Sequence, residues 1–171
     1  MPHIVVSPLS RLGEAAQLHR PRDMVTLINM GTLVERPDCI EAGRHLFLGF
    51  NDIIEEMPGM TPPAAEHVEK LIGFAARWDR QAPLLVHCFA GISRSTAAAY
   101  IVANALNPDM DAAMLANLLR ERAPSATPNI RLVTLADDLL GRGGRMVDAV
   151  KAIGRGAEAF EGVPFVLPLE V

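Results

Sequence analysis

The chain has 171 residues, half of them hydrophobic and 21% charged, with a formal net charge of −4. That length is most simply one domain, the acidic balance argues against a general nucleic-acid binder, and no apolar run is long enough to span a membrane. Met1-Pro2-His3-Ile4-Val5-Val6 lacks a basic segment ahead of its apolar stretch, so it does not read as a secretion signal.

Taken in chain order, residues 3–8 read as a short strand and 9–19 as a helix capped by Ser10. Met24 to Asn29 reads as a buried strand, Gly31 to Gly43 as a loop and His45 to Phe50 as a third strand. Asn51 to Pro63 is a long connection holding Glu55-Glu56 and three prolines, and loops of that length inside a domain are often functional. Thr61 and Pro62 then suit a helix cap and first turn, followed by Ala64, Val68, Leu71, Ile72, Ala75 and Ala76 at helical spacing. Pro83 to His87 is a strand, and Ser93 to about Leu106 is a helix apolar all round, hence buried. Asn107-Pro108 reads as the next cap and first turn, with Met114, Leu115, Leu118 and Leu119 inward. Asn129 to about Leu140 is another helix, with Leu132, Leu135, Ala136 and Leu139 inside, and Met146 to Ile153 a short last one. Two prolines in Val163-Pro164-Phe165-Val166-Leu167-Pro168 argue against a central strand there.

The junction His87-Cys88-Phe89-Ala90-Gly91-Ile92-Ser93-Arg94-Ser95 carries the chemistry. A strand ending at Cys88 delivers sulfur to the rim of a sheet. The next residues can curl so that backbone N–H groups converge on one spot, with Gly91 allowing the tight approach. The helix starting near Ser93 aims its unpaired N–H groups and positive dipole end at the same spot. Arg94 adds a planar fork for two phosphate oxygens. This positive potential binds a phosphoryl dianion and favours the thiolate, the nucleophilic form of a cysteine. Ser95 is placed to donate its O–H to the sulfur when sulfur leaves. His87 has no second ligand at metal spacing, so it reads as a buried imidazole bonded to backbone behind the loop rather than as a zinc ligand. No metal is expected.

His87-Cys88-x5-Arg94-Ser95 resembles the signature of the cysteine-dependent protein tyrosine phosphatases, and Cys88-x-Ala90-Gly91-x-Ser93-Arg94-Ser95 is similar to the dual-specificity branch. Downstream, Asp111 to Arg122, then Pro124 and Pro128-Asn129, resembles that family's helix, Arg-x-Pro turn and Pro-Asn helix start; upstream, Leu46 to Asp52 resembles the strand and loop carrying its general acid. The resemblance implies an α/β fold, a central mostly parallel sheet of four to five strands flanked by helices in a three-layer sandwich. It covers about 24–142 as the core of a single domain, with 143–171 as a C-terminal extension.

What the resemblance implies for activity is a phosphomonoester hydrolase, of tyrosine or dual specificity, using no cofactor. Cys88 attacks phosphorus, Arg94 clamps the phosphate, Asp52 protonates the leaving oxygen and Ser95 assists thiolate release. Phe89, Ala90, Gly91, Ile92 and Ser93 line the substrate, with His87 and Asn51 in support. Glu55 and Glu56 compete with Asp52 for the acid; Asp79 lies too near the Cys88 strand. The expected partners are a phosphorylated protein or small phosphomonoester, with phosphate or sulfate at the loop, and neither nucleic acid nor membrane. Phe50 or Phe89 is a candidate wall for a phosphotyrosine ring. The neutral loop differs from the lysine-bearing loops of phosphoinositide-directed relatives. A working thiolate needs a reducing compartment, consistent with cytoplasm. Cys39 reads as an ordinary partly buried thiol, with a resolving partner for Cys88 as the alternative. Two other classes stay open: a non-catalytic phosphoresidue-binding module, and a cysteine-based arsenate reductase or sulfurtransferase.

Overall fold

Alternation along the strands builds two apolar faces. Ile4, Val6, Val25, Leu27, Leu84 and Val86 point into one core; Val5, Met24 and Leu85 point into another on the opposite side. In the computed structural model, which describes residues 1–170, these residues belong to a five-stranded sheet. Its strands are β1 (His3–Pro8), β2 (Asp23–Ile28), β3 (His45–Gly49), β4 (Leu84–Cys88) and β5 (Phe165–Pro168), in the order β3-β2-β4-β1-β5. The first four run parallel, and β5 is antiparallel to β1. Strands β2 and β4 are buried along their whole length, as expected where helices cover both faces of a parallel sheet.

One small face is covered by α1 (Leu12–His19), through Leu12, Ala15 and Ala16, with Ile40 beside them. The larger face carries α2 (Ala65–Arg77), α3 (Arg94–Leu106), α4 (Ala112–Arg122), α5 (Ile130–Leu139) and α6 (Arg145–Ile153). The result is the α/β three-layer arrangement. Helix α3 is its axis: Arg94 through Asn104 are all buried. Tyr100 lies fully inside, its hydroxyl donating to the carbonyl of Ala112 at 3.0 Å, and burial pushes its phenol up to about 12.

Several boundaries differ from the sequence reading. Residues 9–19 begin as a 3-10 turn (Leu9–Arg11) before α1, and Ser10 does not cap it; its hydroxyl donates to Glu161 instead, at 2.7 Å. Helix α2 starts after Ala64, not Thr61, because Thr61 pairs with Asn51 and the Ala64 N–H donates to His67 Nδ1 at 3.0 Å. Helix α4 is capped by Asp111, whose carboxylate accepts from Ala113 N–H, rather than by Asn107. Met114 and Leu139 are exposed rather than inward. Asn129 does cap α5, accepting from Leu132 N–H at 3.0 Å.

Both ends of the chain complete the sheet. β1 sits between β4 and β5, and Met146, Val150, Leu167 and Leu169 join the main core. With Pro168 inside it and Pro164 just before, β5 is the edge strand that proline tolerates, and its short length blunts the edge.

Candidate active site

Three neighbouring parallel strands end at one rim. β2 runs out into Asn29, β3 into Phe50 and Asp52, and β4 into Cys88. The carboxyl ends of parallel strands are where α/β folds bind ligands. From Cys88 the chain turns through residues 89–93 and enters α3, with Ser93 as its N-cap residue.

The turn is held from outside by its carbonyls. Phe89 C=O accepts from Leu9 N–H at 3.1 Å, Ala90 C=O from Gly162 N–H at 2.7 Å, Ile92 C=O from Thr127 N–H at 2.9 Å and Ser93 C=O from Asn129 N–H at 3.2 Å. Carbonyls drawn outward leave the opposite edge of each peptide unit facing in. Gly91 shows the consequence, its N–H donating to Cys88 Sγ at 3.2 Å. Only glycine serves here: φ is +70°, and a Cβ would lie 2.8 Å from the backbone nitrogen of Pro8.

Cys88 lies on the floor of this turn, 2% exposed. Its sulfur is 3.1 Å from Ser95 Oγ. A neutral thiol donates to that oxygen; a thiolate accepts from it. Arg94 is buried, and its Nη1 donates to Asn29 Oδ1 at 2.7 Å and to Phe50 C=O at 2.8 Å. Among the described residues nothing partners its buried Nε. The guanidinium is thus anchored through Nη1 and bare at Nε, on the same turn as the Gly91 amide that meets the sulfur.

Asp52 is brought over the turn. Its Oδ1 accepts from Ser93 Oγ at 2.7 Å and from Asn129 Nδ2 at 2.9 Å, while no hydrogen bond falls on Oδ2. Glu55 and Glu56 are exposed and make no bond to the turn, and Asp79 is held by Arg44 at 3.0 Å. Asn51 pins the base of the acid-bearing loop, its Oδ1 accepting from Thr61 N–H at 2.9 Å.

His87 is fully buried behind the sulfur. Its Nδ1 is 3.4 Å from Cys88 C=O, which can only accept, so the proton sits on Nδ1. Nε2 then accepts from Thr26 Oγ1 at 2.7 Å, and Thr26 in turn accepts from His45 Nε2 at 2.7 Å. Burial pushes the His87 imidazole down to about 4, so it is neutral near pH 7.

Phe89 is exposed at the mouth, whereas Phe50 is completely buried and cannot face a substrate ring. Cys39 is exposed rather than partly buried; it borders an open cavity against α1, with Leu12, Ala16 and Arg20. Sequence reasoning missed two side chains. Asn29 read only as the end of a buried strand, and its meeting with Arg94 needs the sheet order. Asn129 read as a helix cap; that a capping Asn keeps its amide donors free was the available signal, and they reach Asp52.

No family model and no curated relative matches the sequence. Solved structures do match it by fold. A variant of human DUSP28 superposes with a TM-score of 0.59 at 15% identity, covering 90% of this chain and 100% of that one. DUSP15 gives 0.56 at 17% identity, covering 93% and 96%. The Yvh1 phosphatase domain from Chaetomium thermophilum gives 0.54 at 17% identity, covering 85% and 99%. The strand order, the cysteine turn at the end of β4 and these likenesses together identify the fold as that of the dual-specificity, cysteine-dependent phosphatases.

Proposed function

We propose that the protein hydrolyses phosphomonoesters through a phosphocysteine on Cys88. The observation that carries this reading is the combination at one turn of a sulfur met by Gly91 N–H and Ser95 Oγ with an arginine whose Nε is buried and unpartnered. In the first step Cys88 sulfur bonds to phosphorus as the P–O bond to the leaving group breaks. A proton on Asp52 Oδ2, the oxygen free of hydrogen bonds, passes to the departing oxygen. In the second step Asp52 takes a proton from water, the water oxygen bonds to phosphorus, and the S–P bond breaks. Arg94 and the loop amides stabilise the equatorial oxygens in both transition states. The Ser95 hydroxyl donates to the departing thiolate.

The substrate is a phosphorylated protein or small phosphomonoester, of tyrosine or dual specificity. An exposed Phe89 beside a cup with no charged side chain at 89–93 supports an aromatic or aliphatic alcohol over a polyanionic headgroup.

The deciding assay is turnover of para-nitrophenyl phosphate without added thiol, with inhibition by vanadate. Hydrolysis that disappears in Cys88→Ser, with a bell-shaped pH profile, supports the mechanism. A Cys88→Ser enzyme that still turns over, or a parent that binds phosphate without hydrolysing the ester, overturns it.

A further inference from the structure

The peptide unit between Ala90 and Gly91 is the weak point of the anion-binding turn. It is flanked by a glycine in the left-handed region, so the local backbone does little to choose between its two orientations. One orientation aims the Gly91 N–H at sulfur; the reverse would aim the Ala90 carbonyl dipole there and repel both thiolate and phosphate.

The neighbouring carbonyls of the turn are fixed by α1's leading turn and by the segment before α5. The Ala90 carbonyl is held from elsewhere, by Gly162 N–H at 2.7 Å. Gly162 is pressed so closely on the turn that a Cβ there would lie 2.6 Å from the Gly91 oxygen. Its segment is tied down on both sides. Arg120 Nη2 donates to Gly154 C=O at 2.7 Å, Ala157 N–H to Pro124 C=O at 2.9 Å, and Ser10 Oγ to Glu161 at 2.7 Å, before the chain enters β5.

We infer that the segment 154–164 is a clamp on the catalytic turn, with Gly162 as a positioning residue: its N–H holds the Ala90 carbonyl outward and so keeps the Gly91 N–H of the same peptide unit on Cys88 sulfur. The hydrogen-bonded series Gly162 N–H, Ala90 C=O, Gly91 N–H, Cys88 Sγ also polarises that amide toward the anion. The inference rests on the phosphatase reading for its purpose, but its geometry concerns only how the turn holds a negative charge.

The test uses the full chain in a Cys39→Ser background, so that Cys88 is the only thiol. Two readouts are followed: the pH dependence of Cys88 alkylation by iodoacetamide, and the affinity for inorganic phosphate by calorimetry. Gly162→Ala keeps the N–H, but its Cβ cannot sit 2.6 Å from the Gly91 oxygen and drives the segment off the turn. With the Gly91 bond to sulfur no longer held, the alkylation midpoint is expected to rise by about one pH unit and phosphate to weaken about tenfold. Ser10→Ala, a surface change that frees only the Glu161 tie, is expected to move both readouts the same way by a smaller amount. Both unmoved in a folded Gly162→Ala protein, or in Ser10→Ala where Gly162→Ala does not fold, overturns the clamp. A parent that fails to hydrolyse para-nitrophenyl phosphate while its variants shift as described removes the phosphatase reading and leaves the clamp standing.

Discussion

At the scale of single residues, the site depends on side chains that hold other side chains. Asp52 receives both its donors on one oxygen and leaves the other free, the oxygen that carries the proton in the proposed mechanism. Asp52→Asn should therefore lower kcat by about 10²–10⁴ on esters with poor leaving groups and far less on para-nitrophenyl phosphate, whose leaving group needs little protonation. Steady-state rates on an alkyl and an activated aryl phosphate check this; equal losses would move the acid to another group. Asn29 plays the matching part for Arg94. It is exposed at the rim, so Asn29→Ala should leave the melting temperature nearly unchanged while costing about tenfold in kcat/KM through a loosened guanidinium. A comparison of kcat/KM and thermal unfolding on the same preparation decides it.

At the scale of elements, β4 and its neighbours carry a polar thread through an otherwise apolar sheet, from Cys88 C=O through His87 and Thr26 to His45. His87 has its folded value pushed from 6.5 down to about 4 by burial. The unfolded chain therefore takes the proton first as pH falls, so this contribution to stability is complete above about 6.5 and is lost on descent toward 4. Between pH 7 and pH 5 the loss from His87 alone is about 2 kcal/mol. His19, His45 and His67 are also pushed down, chiefly by burial, and act in the same direction. Urea unfolding at the two pH values should show the drop, and His87→Gln should make it shallower. An unchanged slope in that variant would place the proton uptake elsewhere. The elements themselves were largely legible, because strands β1, β2 and β4 and helices α3 and α5 announce themselves by unbroken or periodic apolar runs. The misplaced starts of α2 and α4 have one cause: Thr61 and Asn107 have the right chemistry for a cap, but Thr61's backbone is already engaged by Asn51, and Asp111 offers a nearer acceptor for α4.

At the scale of the whole molecule, the cysteine turn was legible because its nine residues are contiguous. Asn29 and Gly162 were not, because each acts only through a partner that the sheet order or the docked tail brings near. The same holds for β5, whose pairing with β1 no local pattern encodes. Removing 154–171 should strip Leu167 and Leu169 from the core, bare the inner strand β1 and release the turn together. Two lost leucine side chains alone cost about 3–6 kcal/mol, a large share of a typical domain's stability. The truncated chain is expected to lose its cooperative urea transition and to self-associate through the bared edge, measured by sedimentation. A monomer with a sharp transition would show that β5 is dispensable.

The antiparallel seam between 3–8 and 165–168 also sets an order of events during synthesis. Residues 3–8 are synthesised well before 165–168, so through that interval β1 keeps one flank open. Until residues 165–168 have been made, Cys88 is present in the chain while β1, the strand beside its own, still lacks its outer partner. A chain halted in that interval would present the unpaired N–H and C=O groups of β1 as a template for pairing with another chain.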